Sequence, residues 1–163
     1  MKVAVLTISD SSFAGTRPDV SGPEVAAICA SLAWQVAHTE VLPDDRGAIS
    51  ACLRLLSTSH DLILTTGGTG ITARDVTPEA TADVVEKELP GLPELMRAAG
   101  LGFTRRAALS RAVAGTLGQC LIVNLPGSPK GARQSLDAIL DLVPHIVELL
   151  HGRTAHAEEP KRD

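Results

Sequence analysis

Hydrophobic positions change their spacing repeatedly along the chain, and each change marks a strand or a helix. Residues 2–9 are a near-continuous apolar run, the pattern of a strand buried on both faces of a parallel sheet. Residues 10–20 hold Gly15 and Pro18 and read as a loop. Ser21-Gly22-Pro23-Glu24 then supplies a capping box with proline in the first turn. It predicts a helix to about residue 33 with Val25, Ile28, Cys29 and Leu32 facing inward. A second strand is expected over 35–42. Pro43-Asp44-Asp45 ends it and caps a helix whose inner face carries Ile49, Cys52, Leu53 and Leu56.

Residues 61–66 (DLILTT) predict a short buried third strand, followed by a glycine-rich loop over 67–76. Thr77-Pro78-Glu79 opens a helix expected to run to about residue 88, where Pro90-Gly91 breaks it. Residues 93–101 read as helical and 105–109 as a short turn. Residues 112–117 and 120–124, joined by Gly118-Gln119, predict a hairpin. The loop 125–129 (LPGSP) leads into a helix with Ala132, Leu136, Ile139, Leu140 and Val143 at helical spacing, which Pro144 interrupts before a last turn.

These elements predict a three-layer α/β sandwich: a mainly parallel sheet, helices on both faces and one antiparallel hairpin. One domain over residues 1–151 accounts for them, and the polar residues 152–163 are expected as a flexible tail. Ligands in such folds bind at the carboxyl ends of the strands. That edge carries the loops 10–20, 43–45, 67–77 and 125–130.

Composition narrows the function. With 163 residues, 44% apolar and 21% charged, the chain suits one folded domain and excludes a disordered tail. No run approaches the roughly 20 apolar residues of a membrane span, so no membrane partner is expected. Aromatic residues are 2%, tyrosine is absent and the net charge is −4, which argues against a nucleic-acid partner. Cys29, Cys52 and Cys120 are odd in number and far apart. With no leader-like N-terminus, they point to a reducing cytoplasm rather than to disulfides or zinc. The five histidines are scattered without ligand spacing.

Charge is unevenly placed. Between residues 95 and 135 there is no Asp or Glu, yet Arg97, Arg105, Arg106, Arg111, Lys130 and Arg133 lie there. In an acidic chain this favours a site for a small, multiply charged anion. Lys130, directly after the PGSP turn, is the leading single contributor.

Gly67-Gly68-Thr69-Gly70 follows a buried strand, and glycines there let backbone N–H groups converge on an anion. No GK[ST] follows, so this is no Walker loop. Residues 68–73 match GxGxxA, but the capped helix begins only at Pro78, which disfavours a dinucleotide site. Asp75 either stabilises a turn or faces bound phosphates through a cation. Asp44 either caps its helix or does the same. Both at one sheet edge favour the Mg²⁺-phosphate reading.

GGTG, four residues and Asp75, continuing as Val-Thr-Pro-Glu, resembles the signature of molybdenum-cofactor biosynthesis proteins of the MogA/MoaB type. The likeness extends to Ile8-Ser9-Asp10, to residues 19–23, to Pro43-Asp44, to Leu109-Ser110-Arg111 and to residues 124–130, and covers nearly the whole chain. It implies a molybdopterin adenylyltransferase that uses Mg²⁺ and ATP to transfer AMP to the terminal phosphate of molybdopterin, releasing pyrophosphate. The family's acidic pair falls on Asp44 and Asp75, as catalytic residues and Mg²⁺ ligands. Its substrate-binding positions fall on Asp10, Asp19, Ser21, Thr66, Gly67, Gly68, Thr69, Gly70, Ser110, Pro126, Gly127, Ser128 and Lys130. The intact Arg74-Asp75-Val76-Thr77-Pro78 stretch favours activity over the inactive relatives. The resemblance also implies a homotrimer, for which apolar residues around 101–103 offer an interface, and a separate downstream molybdate-insertion protein. The alternatives are a non-catalytic molybdopterin carrier of the same fold and, more remotely, an unrelated phosphate-binding regulator.

Overall fold

The computed structural model describes residues 1–153. The tail expected over residues 152–163 falls, from residue 154 on, outside them. Strands β1 (Lys2–Ile8), β2 (Gln35–Leu42), β3 (Leu62–Thr66), β4 (Lys87–Glu88), β5 (Ala114–Leu117) and β6 (Cys120–Leu125) form one sheet in the order β2-β1-β3-β6-β5-β4. The four strands β2, β1, β3 and β6 are parallel, and β6-β5-β4 run antiparallel.

Alternation along the central strands divides the core in two. Val3, Val5, Leu62, Leu64, Leu121 and Val123 face one side and pack on α2 (Ser21–Ser31), α5 (Gly91–Leu101), α6 (Pro129–Asp137) and α7 (Leu142–Leu150). Ala4, Leu6, Ile63 and Ile122 face the other and meet α3 (Arg46–Ser57) and α4 (Thr77–Ala82). Covered on both faces, β3 is buried at every residue: three apolar side chains, then Thr65 and Thr66, whose hydroxyls are hydrogen-bonded. The three-layer sandwich, its mainly parallel sheet and its hairpin are as expected.

Five local expectations are corrected. Residues 10–20 are not all loop: Asp10–Phe13 make a helical turn, α1, capped by the Ser9 hydroxyl accepting from the Ser12 N–H. The cap of α2 comes from Asp19 rather than Ser21, since the Asp19 carboxylate accepts the Gly22 N–H at 3.0 Å. Leu32, expected inward, follows the end of α2 and is exposed. α4 stops at Ala82 instead of reaching residue 88, because the following segment pairs with β5. There the Glu86 N–H donates to the Thr116 carbonyl at 2.7 Å and the Leu89 N–H to the Ala114 carbonyl at 2.8 Å. Pro144 does not interrupt the last helix; it sits in the first turn of α7, where a missing N–H is tolerated.

Candidate active site

The parallel strands deliver their loops to one edge. Ile8 is in register with Leu42, Thr7 with Thr66, and Thr66 with Leu125, so the segments after β1, β2, β3 and β6 emerge together. Below them the buried Asn124 side chain donates to the Thr65 hydroxyl at 3.0 Å and the Thr81 hydroxyl at 2.8 Å. This ties β6, β3 and α4 beneath the edge.

Asp44 is not the helix cap. That role belongs to Asp45, whose carboxylate accepts the Ala48 N–H at 2.7 Å. Asp44 instead exchanges bonds with Asp10: the Asp10 N–H donates to Asp44 Oδ2 at 2.9 Å, and the Asp44 N–H donates to Asp10 Oδ1 at 3.0 Å. Arg74 pairs with the Asp10 carboxylate. Asp44 is half-buried. Burial, then the charge of Asp75, push its carboxyl above the usual aspartate value.

The glycine loop lies between the two carboxylates. Gly67 (φ 104°) and Gly68 (φ 62°) occupy the left-handed region, where a side chain is disfavoured. A Cβ on Gly67 would strike the Ile8 carbonyl, and one on Gly68 the Thr77 hydroxyl. That hydroxyl is buried without a hydrogen-bond partner. Asp75 folds back over the loop, its Oδ2 accepting the Thr72 N–H at 2.8 Å and the Thr72 hydroxyl at 2.6 Å. Burial works to raise its pKa, but the Thr72 bonds, the Gly70 N–H and the Arg111 charge outweigh it and lower the value.

The Thr66 hydroxyl donates to the Pro126 carbonyl at 2.8 Å and the Gly67 N–H to the Leu125 carbonyl at 3.1 Å. These bonds press the PGSP loop on the glycine loop. Ser128 caps α6 by accepting the Gly131 N–H at 3.2 Å.

Two cavities open on opposite sides of this double loop. One, about 500 Å³, is polar and includes Asp44, Asp19, Ser21, Thr66, Arg17 and Arg74. The other, about 370 Å³, includes Met96, Leu109, Ser110, Arg97 and Arg106. Gly68, Asp75, Gly127 and Ser128 line both. Molecules bound on the two sides would meet at that shared wall.

Most residues singled out in the sequence reach these cavities, in differing roles. Gly67 and Pro126 line one cavity each, as do Thr69 and Gly70. Asp10 holds Asp44 and lines neither. Asp19 is occupied by the Thr7 hydroxyl at 2.7 Å and the Gly22 N–H, and Ser21 lies buried beside it. Lys130 is exposed on the first turn of α6 and lines neither cavity. The basic stretch divides: Arg97 and Arg106 face the smaller cavity, whereas Arg133 pairs with Glu24 and Arg111 with Glu79. Arg17 carried no charge-cluster or metal-ligand spacing that would mark it, and Arg74 and Thr77 were marked only as part of the Arg74–Pro78 stretch; their packing around the glycine loop places them at the site.

Comparison with known proteins places the chain in a family. Residues 4–145 match the family described as "Probable molybdopterin binding domain". The molybdopterin adenylyltransferase of Helicobacter pylori J99 is 38% identical, over 96% of this chain and 92% of that protein. The Escherichia coli K12 protein of the same name is 34% identical, over 93% and 86%. Among solved structures, the molybdopterin biosynthesis enzyme MoaB of Thermus thermophilus superposes with a TM-score of 0.87 at 49% identity, covering 93% of this chain and 96% of that one. The chain belongs to the molybdopterin-binding domain family of molybdenum-cofactor biosynthesis, with the MogA/MoaB α/β fold.

Proposed function

We propose that this protein is a molybdopterin adenylyltransferase, transferring AMP from ATP to the terminal phosphate of molybdopterin with release of pyrophosphate. The observation that carries the reading is the shared wall: two cavities, one for each substrate, meet at Gly68, Asp75, Gly127 and Ser128. Positioning two phosphates in line is the larger part of such a reaction. The incoming phosphate is already ionised at neutral pH, so no side chain has to act as an obligatory general base.

Mg²⁺ fits the donor set. Among the described residues no three His, Cys, Asp or Glu side chains are arranged to hold a metal on their own. Mg²⁺ ordinarily takes one or two carboxylates and completes its shell with phosphate oxygens and water. Asp44 and Asp75 are two hard-oxygen carboxylates close enough for the charge of one to raise the pKa of the other. They would hold the ion, which supplies charge neutralisation as pyrophosphate departs. Gly68 and Gly70 of the glycine loop line the smaller cavity, and Arg97 and Arg106 offer positive charge to an anion there.

No helix of the described residues is long and apolar enough to cross a membrane. The proposed setting is the cytoplasm. A homotrimer is proposed with it, for which the exposed Leu101 and Phe103 at the end of α5 offer apolar surface, and molybdate insertion is assigned to a separate protein.

The test is AMP transfer from labelled ATP to purified molybdopterin. Adenylylated pterin and pyrophosphate are expected together, and both should require Mg²⁺. Tight pterin binding without either product would overturn the enzyme reading in favour of a carrier.

A further inference from the structure

Arg111 reaches the glycine loop from outside and bonds to it at three carbonyls. Its main-chain N–H donates to the Thr69 carbonyl at 3.0 Å. Its Nε donates to the Gly70 carbonyl at 2.6 Å and its Nη2 to the Asp75 carbonyl at 2.6 Å. Nη1 pairs with the Glu79 carboxylate on α4. One planar guanidinium therefore holds both ends of the turn from Gly70 to Asp75 and fastens it to the following helix. Next to it, Ser110 lines the smaller cavity, and its carbonyl accepts from Arg97 Nη1 at 3.3 Å.

Few side chains could replace it. Loop carbonyls at Gly70 and Asp75 need donors in a fixed fork, which guanidinium supplies and an ammonium does not. The other bonds of this segment are those of Asp75 to Thr72, inside the turn, and the pair of Arg74 with Asp10; residues 71–74 are exposed, and Arg111 is what ties the turn to α4. Arg111 itself is absent from the lining of both cavities. Its charge is directed to Glu79 and to carbonyl oxygens rather than toward bound anions.

We propose that Arg111 is a positioning residue for AMP transfer: it sets the Gly70–Asp75 turn, and so the place of the Asp75 carboxylate at the wall shared by the two substrate cavities. The assignment rests on the adenylyltransferase reading above, in which Asp75 serves the reacting phosphates. It makes one arginine of the basic stretch part of the frame rather than an anion contact.

Arg111→Lys keeps the charge and most of the bulk but not the fork; Arg111→Ala removes both. Hydrogen–deuterium exchange, thermal unfolding and steady-state AMP transfer are measured on both and on wild type. The expected result for Arg111→Lys is faster exchange confined to residues 67–76, with kcat down by ~10- to 100-fold and KM for ATP within about threefold, as for a small misplacement of a catalytic group. Added guanidinium should restore part of the Arg111→Ala kcat, and equal concentrations of ammonium should not. Transfer within about twofold of wild type in Arg111→Lys overturns the proposal, whether or not exchange has changed. So does a loss of kcat with unchanged loop exchange and no rescue. A wild-type protein that transfers no AMP instead overturns the adenylyltransferase reading, and with it the catalytic half of this one; the exchange data then decide whether Arg111 orders the turn.

Discussion

Asp44 and Asp75 address the same glycine loop from two strands: Asp44 Oδ1 lies 3.2 Å from where a Cβ on Gly68 would sit, and Asp75 Oδ2 lies 2.8 Å from one on Gly70. Each is held by partners that leave its carboxylate at the loop. Asp44 is fixed through Asp10 and Asp75 through Thr72. Neither caps the helix that follows it, because Asp45 serves α3 and α4 begins after Val76 without a side-chain cap.

Asp44→Asn and Asp75→Asn should therefore fold and bind molybdopterin yet lose AMP transfer by about 10²-fold or more, the scale for removing a charge-stabilising group from an active site. Asp45→Asn is the control. It keeps the cap, since Asn caps about as well as Asp, and should retain near-normal turnover. Wild-type turnover in both of the first two variants, at saturating Mg²⁺ and ATP, would remove the carboxylates from catalysis.

Gly68→Ala places a methyl group on the buried Thr77 hydroxyl at a positive φ. A strained backbone position of this kind costs roughly 1–3 kcal/mol, so chemical denaturation should show a loss of that order. Adding Thr77→Ala removes the clash but not the φ penalty. The double variant should recover part of the loss, and no recovery would show that the hydroxyl is not the obstacle.

The Arg111 hydrogen bond is the largest influence holding the Glu79 carboxyl below its usual pKa. A lowered folded-state pKa gives stability that is present above the unfolded value of 4.5 and lost as pH falls through the folded value. Glu79→Gln should accordingly lower Tm at neutral pH, and the gap to wild type should close as the pH falls through the lowered folded value. Because the pair is partly exposed the gap should be small, and added salt should shrink it. A gap independent of pH would mean that Glu79 acts through shape alone.

Arg106 lines the smaller cavity and Lys130 lines neither. Arg106→Ala should weaken pterin or nucleotide binding, whichever substrate takes that cavity, and flatten its dependence on salt, as loss of an anion contact does. Lys130→Ala should have the smaller effect. Calorimetric titrations across a salt series compare the two directly, and a larger effect at Lys130 would reverse the assignment and restore it as the chief anion contact.

Local sequence determined the framework. The near-continuous apolar runs of β1, β3 and β6 could satisfy water-free surroundings only in a sheet covered on both sides, and that placed the loops after them at one edge. The GGTG loop was legible for a similar reason: its glycines answer to backbone conformations at Gly67 and Gly68 that other residues enter at a cost. Chain position alone could not say which of two adjacent aspartates caps α3 and which turns to the site. Asp45 and Asp44 are chemically the same, and only the approach of Asp10 from beyond another strand separates them. The ending of α4 was likewise decided by β5, whose open edge offered hydrogen bonds to residues that would otherwise continue a helix. The basic stretch shows the same limit. Six cations read alike in sequence, but Glu79, Glu24 and two loop carbonyls claim some of them and leave Arg97 and Arg106 to the cavity, since an ion pair is made by whatever folding brings within reach.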